Sequence, residues 1–193
     1  IKWVSPLPKE WNLGLPGNIQ RENAAVAKGA LEALAPLGWH IDTQKMQDFF
    51  ALTQWPGRLQ KVFWDGYPLL IDCAHNTNAA KQLSNERQNW ENNASGVHWI
   101  LGIQRKKDAP GIVKNLLQEN DLAWIIKIPG HDSWDLSELS EACPKLTTQF
   151  IAAKTVQEAL KKIKVNSRWP TPPPVITGSL YLVGYLFSKN LIK

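Results

Sequence analysis

Polar and charged side chains follow four short apolar segments of the chain. Together they supply imidazoles, carboxylates, cations and a serine that opens a predicted helix. This is the chemistry of a phosphate or nucleotide site, in which anions meet cationic side chains and helix N-termini. The residues concerned are Asp72, His75, Arg105, Lys106, Lys107, Asp108, His131, Asp132, Gly178 and Ser179.

Each of these residues also has a purely structural interpretation. Asp72 could cap the next helix, His75 could hydrogen-bond within its loop, and Ser179 could be a simple helix cap. The lysines, like His131 and Asp132, could form a solvated surface. The sequence has no GxxxxGK[ST] phosphate loop, no GxGxxG fingerprint, no order that compels a Ser/His/Asp hydrolase and no metal-ligand cluster. The pattern alone indicates an anion-binding α/β domain.

The elements that must position these side chains alternate along the second part of the chain. Strands are predicted at 68–72, 97–101, 123–128, 150–152 and 174–177, and helices follow them near 78–90, 112–117, 136–143, 155–163 and 180–187. Such alternation favours a mostly parallel sheet covered on both faces, with ligands outside the carboxyl ends of its strands. Asp65-Gly66 predicts a hairpin turn in front of the first of these strands. Asp108 is expected to cap the helix near 112–117, and the helix at 155–163 has an apolar stripe at residues 156, 159, 160 and 163.

Residues 1–55 have a different pattern. A helix is predicted from Glu22 until Pro36 and Gly38 stop it, and a second helix begins with Thr43 as its cap. The second helix would place Met46, Phe49 and Phe50 on one face, and a strand would end within 11–15. Two helices and a strand end cannot close a core, so we expect their apolar faces to need a further partner.

Composition narrows the class of protein. The chain has 193 residues, 44% of them hydrophobic, and a net charge of +5. That charge is mild and its basic clusters are short, which favours a small anionic ligand over nucleic acid. No segment has the roughly 20 apolar residues of a membrane span, and two cysteines indicate reduced thiols in the cytoplasm. The only methionine is Met46, so we expect a processed product or a piece of a longer protein.

Five short motifs occur in order along the chain. They are GNIQRENA at 17–24, WPGR at 55–58, DCAHN at 72–76, the loop 102–108 and TGSLYLVG at 177–184. This set resembles the C-terminal half of the folylpolyglutamate synthase/dihydrofolate synthase branch of the Mur ligase superfamily. The closing TGSLYLVG discriminates best, because the cell-wall Mur ligases end differently. Ile19 departs from the family's usual histidine and Cys73 from its glycine.

The resemblance implies a fold, a domain organisation and a nucleotide site. Residues 1–55 would be the terminal helices of the central ATPase domain, and residues 56–193 the Rossmann-like C-terminal Mur ligase domain. Asn23, Arg58 and Asp72 would contact ATP, with His75 beside the nucleotide, and Lys107 would neutralise phosphate charge. The amide, guanidinium and carboxylate suit a base, a phosphate and ribose hydroxyls respectively.

The resemblance also implies a reaction. A longer parent, expected as a monomer, would use ATP and Mg²⁺ to add L-glutamate to dihydropteroate or a reduced folate through an acyl phosphate. The metal ligands and phosphate loop of that family lie upstream of the matching region, so we expect no catalytic residue in this chain. Two alternatives stay open, namely the C-terminal domain of a cell-wall Mur-type peptide ligase and a non-catalytic nucleotide-binding module.

Overall fold

The chain divides into two compact units, residues 1–59 and 60–193. This computed structural model describes residues 1–92, 95–164 and 168–193. The domain boundary expected between residues 55 and 56 lies a few residues before this division, and the assignment of the two parts to ligase domains stays a prediction. Among the described residues, no helix combines the length and the apolar character that crossing a membrane requires.

The second unit is built on a six-stranded sheet with the order β1-β2-β6-β3-β4-β5. The first pair is an antiparallel hairpin and every other pair is parallel, as the alternating pattern predicted. Strand β6 enters between β2 and β3, so the last strand in sequence lies inside the sheet. The strands are β1 Gln60–Trp64, β2 Tyr67–Ile71, β3 His98–Leu101, β4 Leu122–Ile125, β5 Phe150–Ala152 and β6 Val175–Thr177.

Local sequence signals explain how the hairpin and the helices of this unit begin. Asp65 and Gly66 both have positive φ, 50° and 79°, as the predicted two-residue turn requires. The Asp108 side chain caps α4 as expected, and Thr155 caps α6. The helices are α3 Thr77–Glu86, α4 Ala109–Leu116, α5 Leu136–Ala142, α6 Val156–Ile163 and α7 Leu180–Ser188.

One core cluster of the second unit lies between the sheet and helices α6 and α7. The predicted stripe on α6, residues 156, 159, 160 and 163, is buried in the same cluster as Ile100 and Ile176 of the central strands. Leu182, Val183 and Leu186 of α7 belong to this cluster as well. The α3 helix is shorter than predicted, since it ends at Glu86 and a 3₁₀ turn takes over at Arg87–Asn89.

The first unit contains α1 Ile19–Glu32 and α2 Thr43–Leu52 around a small core. That core consists of Leu7, Trp11, Ala25 and Met46. The strand end predicted within 11–15 is wrong, because this segment has no strand pairing. Asp42 rather than Thr43 caps α2, since its carboxylate accepts the Lys45 amide at 3.0 Å. Phe49 is 68% exposed, so the predicted apolar face of α2 is only partly buried.

Candidate functional site

The loop after β2 carries Asp72 and His75 at the carboxyl edge of the sheet. The Asp72 carboxylate accepts the Ala74 amide at 2.8 Å, and its own amide donates to the carbonyl of Ile176 at 3.0 Å. Asn76, not Asp72, caps α3 by accepting the Ala79 amide at 2.8 Å. The capping interpretation of Asp72 is therefore wrong, and its carboxylate stabilises the turn at the strand end.

His75 is half-buried and held by its own loop. Its Nδ1 lies 2.9 Å from the carbonyl oxygen of Cys73. Because a carbonyl oxygen only accepts, Nδ1 carries the proton, and in the neutral ring Nε2 is then the acceptor. The expected loop hydrogen bond therefore exists, and it fixes the tautomer in which Nε2 can accept a proton or a hydrogen bond.

The β6–α7 junction packs tightly against the neighbouring loops of the same edge. The Gly178 amide donates to the carbonyl of Ala74 at 3.0 Å, while Thr177 accepts the amide of Gly102 at 3.3 Å. Ser179 is buried, and its hydroxyl accepts the Tyr181 amide at 3.1 Å as the cap of α7. The structure thus brings the loops after β2, β3 and β6 together, as a parallel sheet predicts.

The basic triplet 105–107 is not the uniform cationic cluster that the sequence indicated. The Arg105 guanidinium forms ion pairs with Glu138 at 2.5 Å and with Asp132 at 3.7 Å. The hydrogen bond that the Arg105 guanidinium donates to the Glu138 carboxylate raises the pKa of Arg105 and lowers the pKa of Glu138. Lys106 is exposed and Lys107 is half-buried. These lysines, rather than Arg105, are the cations suited to an external anion.

Asn23 lies in the first unit, on α1 beside a cavity of about 240 Å³. Its amide nitrogen donates to the Gln20 side-chain oxygen at 3.0 Å. Leu13, Leu15 and Ala27 provide apolar lining, so the cavity offers a flat ring both a hydrophobic wall and two side-chain amides. Gln20, which is buried and orients Asn23, was not singled out from the sequence, although it stands three residues earlier on the same helix face.

Arg58 lies at the end of the first unit, directly after a turn. Gly57 is buried with a φ of 72°, a conformation that favours glycine, and Leu59 also has a positive φ of 46°. The Arg58 side chain between them is exposed. Its guanidinium is therefore available to an anion such as phosphate, which it can bind through two N–H donors at once.

The described residues contain no ready-made cluster of metal ligands. No group of three or more His, Cys, Asp or Glu side chains in residues 1–92, 95–164 and 168–193 is arranged to hold a metal. These described residues therefore do not fit a Mg²⁺ site. Asn23 and Arg58 belong to the first unit and Asp72 to the second, and each has a side chain whose chemistry suits one part of a nucleoside phosphate.

Comparison with known proteins assigns a family to this chain. Residues 58–189 match the family described as "Dihydrofolate synthetase, C-terminal domain", which is more than half of the chain. The chain belongs to the dihydrofolate synthetase family. The matched region contains the loop with Asp72 and His75, the basic loop 102–108 and the β6–α7 junction.

Two curated relatives of the dihydrofolate synthetase family are similar over most of this chain. A dihydrofolate synthase/folylpolyglutamate synthase of Buchnera aphidicola is 26% identical over 182 residues, which is 91% of this chain and 40% of that protein. A folylpolyglutamate synthase of Lacticaseibacillus casei is 29% identical over 169 residues, 87% of this chain and 37% of that protein. The chain thus spans about 40% of the length of these relatives.

A solved structure has the same fold. The Mycobacterium tuberculosis folylpolyglutamate synthase complexed with ADP and AMPPCP superposes with a TM-score of 0.75 at 22% identity. The superposition covers 92% of this chain and 41% of the mycobacterial one. The Rossmann-like C-terminal fold expected from the resemblance is confirmed, as is the family.

Proposed function

We propose that this chain forms the C-terminal part of an ATP-dependent ligase that adds L-glutamate to dihydropteroate or a reduced folate. The observation that carries the proposal is the match of residues 58–189 to the dihydrofolate synthetase C-terminal domain. Relatives bearing the names dihydrofolate synthase and folylpolyglutamate synthase support the substrate class. The parent is proposed to act in the cytoplasm as a monomer.

In the proposed reaction, ATP transfers its γ-phosphoryl group to the carboxylate of the pteroate or folate, which gives an acyl phosphate and ADP. The amine of glutamate then attacks the acyl carbon, so the amide forms as phosphate leaves. Mg²⁺ would neutralise phosphate charge during the first step. The proposal assigns its ligands and the catalytic groups to the part of the relatives that this chain does not span.

The proposed contribution of this chain is to bind ATP. Asn23 would hydrogen-bond the base beside the apolar wall of its cavity. Arg58 would pair with phosphate, and Asp72 would accept hydrogen bonds from ribose hydroxyls at the strand end. His75 would accept a hydrogen bond close to the nucleotide through Nε2, and Lys107 would neutralise negative charge.

The first experiment measures ligation by the 193-residue chain itself. With ATP, Mg²⁺, glutamate and dihydropteroate we expect no product above a control without enzyme, because the chain spans only about 40% of the length of its relatives. Robust product formation would show that catalysis does not need an upstream region, and the proposal would then fail.

The second experiment tests Arg58 in the complete ligase. Arg58→Ala should lower kcat/KM for ATP about ten-fold or more, which is the loss expected for a charge-assisted phosphate contact. Arg168→Ala removes another exposed arginine and should leave the kinetics unchanged. Unchanged kinetics in Arg58→Ala would remove this residue from the site.

Two other functions are separated by substrate and by activity. A cell-wall Mur-type ligase would hydrolyse ATP in response to UDP-muramoyl peptides and not to pteroates. A non-catalytic module would bind ATP, which calorimetry would detect. The complete protein would then form no product with either a pteroate or a UDP-muramoyl peptide. The family match favours the folate ligase over both.

A further inference from the structure

The loop after β3, residues 102–108, and the loop after β4, residues 126–135, are joined by backbone hydrogen bonds. The amide of Arg105 donates to the carbonyl of Asp132, and the amide of Trp134 to that of Ile103, both at 3.0 Å. Gln104 and Ser133 form an antiparallel bridge between the two loops. The two loops therefore form one hydrogen-bonded unit.

The Trp134 side chain adds a second connection, which reaches further along the basic loop. Its indole Nε1 donates to the carbonyl oxygens of both Arg105, at 3.0 Å, and Lys107, at 3.2 Å. The guanidinium of Arg105 lies 5.4 Å from the centre of the indole ring, within the range of a cation–π contact. Glu138, the capping-box residue of α5, holds that guanidinium through its ion pair.

The backbone of Lys107 is fixed from three directions. Its amide donates to the carbonyl of Gln104 at 3.0 Å, and its carbonyl accepts from the Ala109 amide at 2.9 Å as well as from Trp134. Among the ion pairs of the described residues, Arg105 is engaged with carboxylates and Lys107 is not. The contacts of Trp134 therefore hold the backbone of a lysine whose ammonium group is suited to an external anion.

We propose that Trp134 is a positioning residue that holds Lys107 for an anionic group of a substrate, either a phosphate of ATP or a carboxylate of glutamate. Ordering the backbone before binding reduces the entropy that binding would otherwise cost. The inference rests on the proposed ligase function. It assigns to the loop after β4 a role in binding that acts through Lys107.

The first test measures backbone order in the 193-residue chain by hydrogen exchange. Trp134→Phe keeps an aromatic ring and loses the N–H donor, so the amides of 105–109 should exchange about ten-fold faster, as expected when a hydrogen-bonded segment loses an anchor. Trp169→Phe is the matched control, because its Nε1 donates to the carbonyl of Pro68 at 2.8 Å, away from these loops. Equal exchange of 105–109 in both variants would overturn the inference.

The second test is a double-mutant cycle in the complete ligase. Lys107→Met should raise the KM of the substrate whose anion it binds. Whether the KM rises for ATP or for glutamate therefore identifies that anion. Trp134→Phe should raise the same KM about five-fold with kcat nearly unchanged, and should add nothing in the Lys107→Met background.

The outcomes of this cycle separate the two proposals. An unsubstituted ligase without glutamate-adding activity would contradict the proposed function, while the exchange comparison would still decide whether Trp134 orders the loop. An active ligase in which the two substitutions act additively, or in which Trp134→Phe changes kcat alone, would contradict the role of Trp134.

Discussion

Asp121 is a fully buried carboxylate that holds together several segments of the second unit. It forms an ion pair with Arg87 at 2.6 Å, and it accepts the backbone amides of Val97 at 2.8 Å and Gln118 at 3.0 Å. The indole of Trp99 donates to it at 3.0 Å. A carboxylate with four donors is the arrangement in which a buried charge is tolerated.

Removing this carboxylate should be strongly destabilising. Asp121→Ala removes the carboxylate that pairs with the buried Arg87 guanidinium and takes the acceptor from three N–H donors, so the free energy of unfolding should fall by about 3 to 5 kcal/mol. Urea unfolding followed by circular dichroism measures the change. Glu119→Ala, at an exposed position two residues earlier, is the control and should stay within about 0.5 kcal/mol of the parent. A small effect of Asp121→Ala would mean that Arg87 finds another partner.

His98 makes the stability of the chain depend on pH. Burial lowers the pKa of His98 below its ordinary value of 6.5, and Trp124 donates its indole N–H to Nδ1 at 3.2 Å. Between the lowered pKa and 6.5 the unfolded state binds more protons than the folded state, so this contribution to stability decreases as the pH falls through that window.

The measurement for His98 is the free energy of unfolding at pH 7.5 and 5.5. The decrease between these values should be smaller in His98→Asn, which keeps a side-chain acceptor for the indole but does not titrate. The same decrease in both proteins would assign the pH dependence to other groups.

At the scale of elements, the β6–α7 junction depends on a glycine. Gly178 has a φ of 103°, and a Cβ atom at this position would lie 2.7 Å from the carbonyl oxygen of Gly102. The adjoining loops after β2 and β3 hydrogen-bond to this junction, so strain here would displace the edge that carries the candidate site.

Gly178→Ala should therefore destabilise the protein by more than about 1 kcal/mol, through strain at positive φ and the backbone contact. Gly184→Ala on α7 is the matched control, because its Cβ would meet no heavy atom within 4 Å, and it should be neutral or stabilise by about 0.5 to 1 kcal/mol. Thermal unfolding of both variants measures the difference. A Gly178→Ala variant as stable as the parent would show that the junction relaxes freely.

The sequence predicted the turns and helices of the second unit well where a local signal determines them. The hairpin turn at Asp65-Gly66, the Asp108 cap and the α6 stripe are set by neighbours in sequence, and all three are confirmed. The cap predicted at Thr43 is wrong, as is the alternative that Asp72 caps the next helix, because another capping side chain stands nearby in each case. Asp42 and Asn76 adopt the extended backbone of an N-cap in the structure.

At the scale of the whole molecule, apolar burial is uneven between the two units. The first unit buries only four apolar residues in its core cluster and leaves Trp3, Trp39 and Trp55 more than 60% exposed. The second unit buries its central strands almost completely. A unit with so little buried apolar surface contributes little stability on its own.

We therefore expect residues 60–193 to fold as a separate polypeptide. Leu69→Ala, in the core of the second unit, should lower the midpoint of the thermal transition of the full chain, since such truncations cost about 2 to 5 kcal/mol. Met46→Ala, in the core of the first unit, should leave that main transition in place. Differential scanning calorimetry compares the variants. A polypeptide of residues 60–193 without a cooperative transition would contradict the expectation.

The sequence by itself determined the alternation of strands and helices, the motifs at the strand ends and the family, because these depend on local periodicity and on residue types at fixed spacing. The tertiary structure decided the insertion of β6 between β2 and β3, the pairing of Arg105 with Glu138 and the contact of Trp134 with the basic loop. These arrangements join residues that are distant in sequence. Their partners are chosen by how the sheet is assembled, and no local pattern encodes that choice.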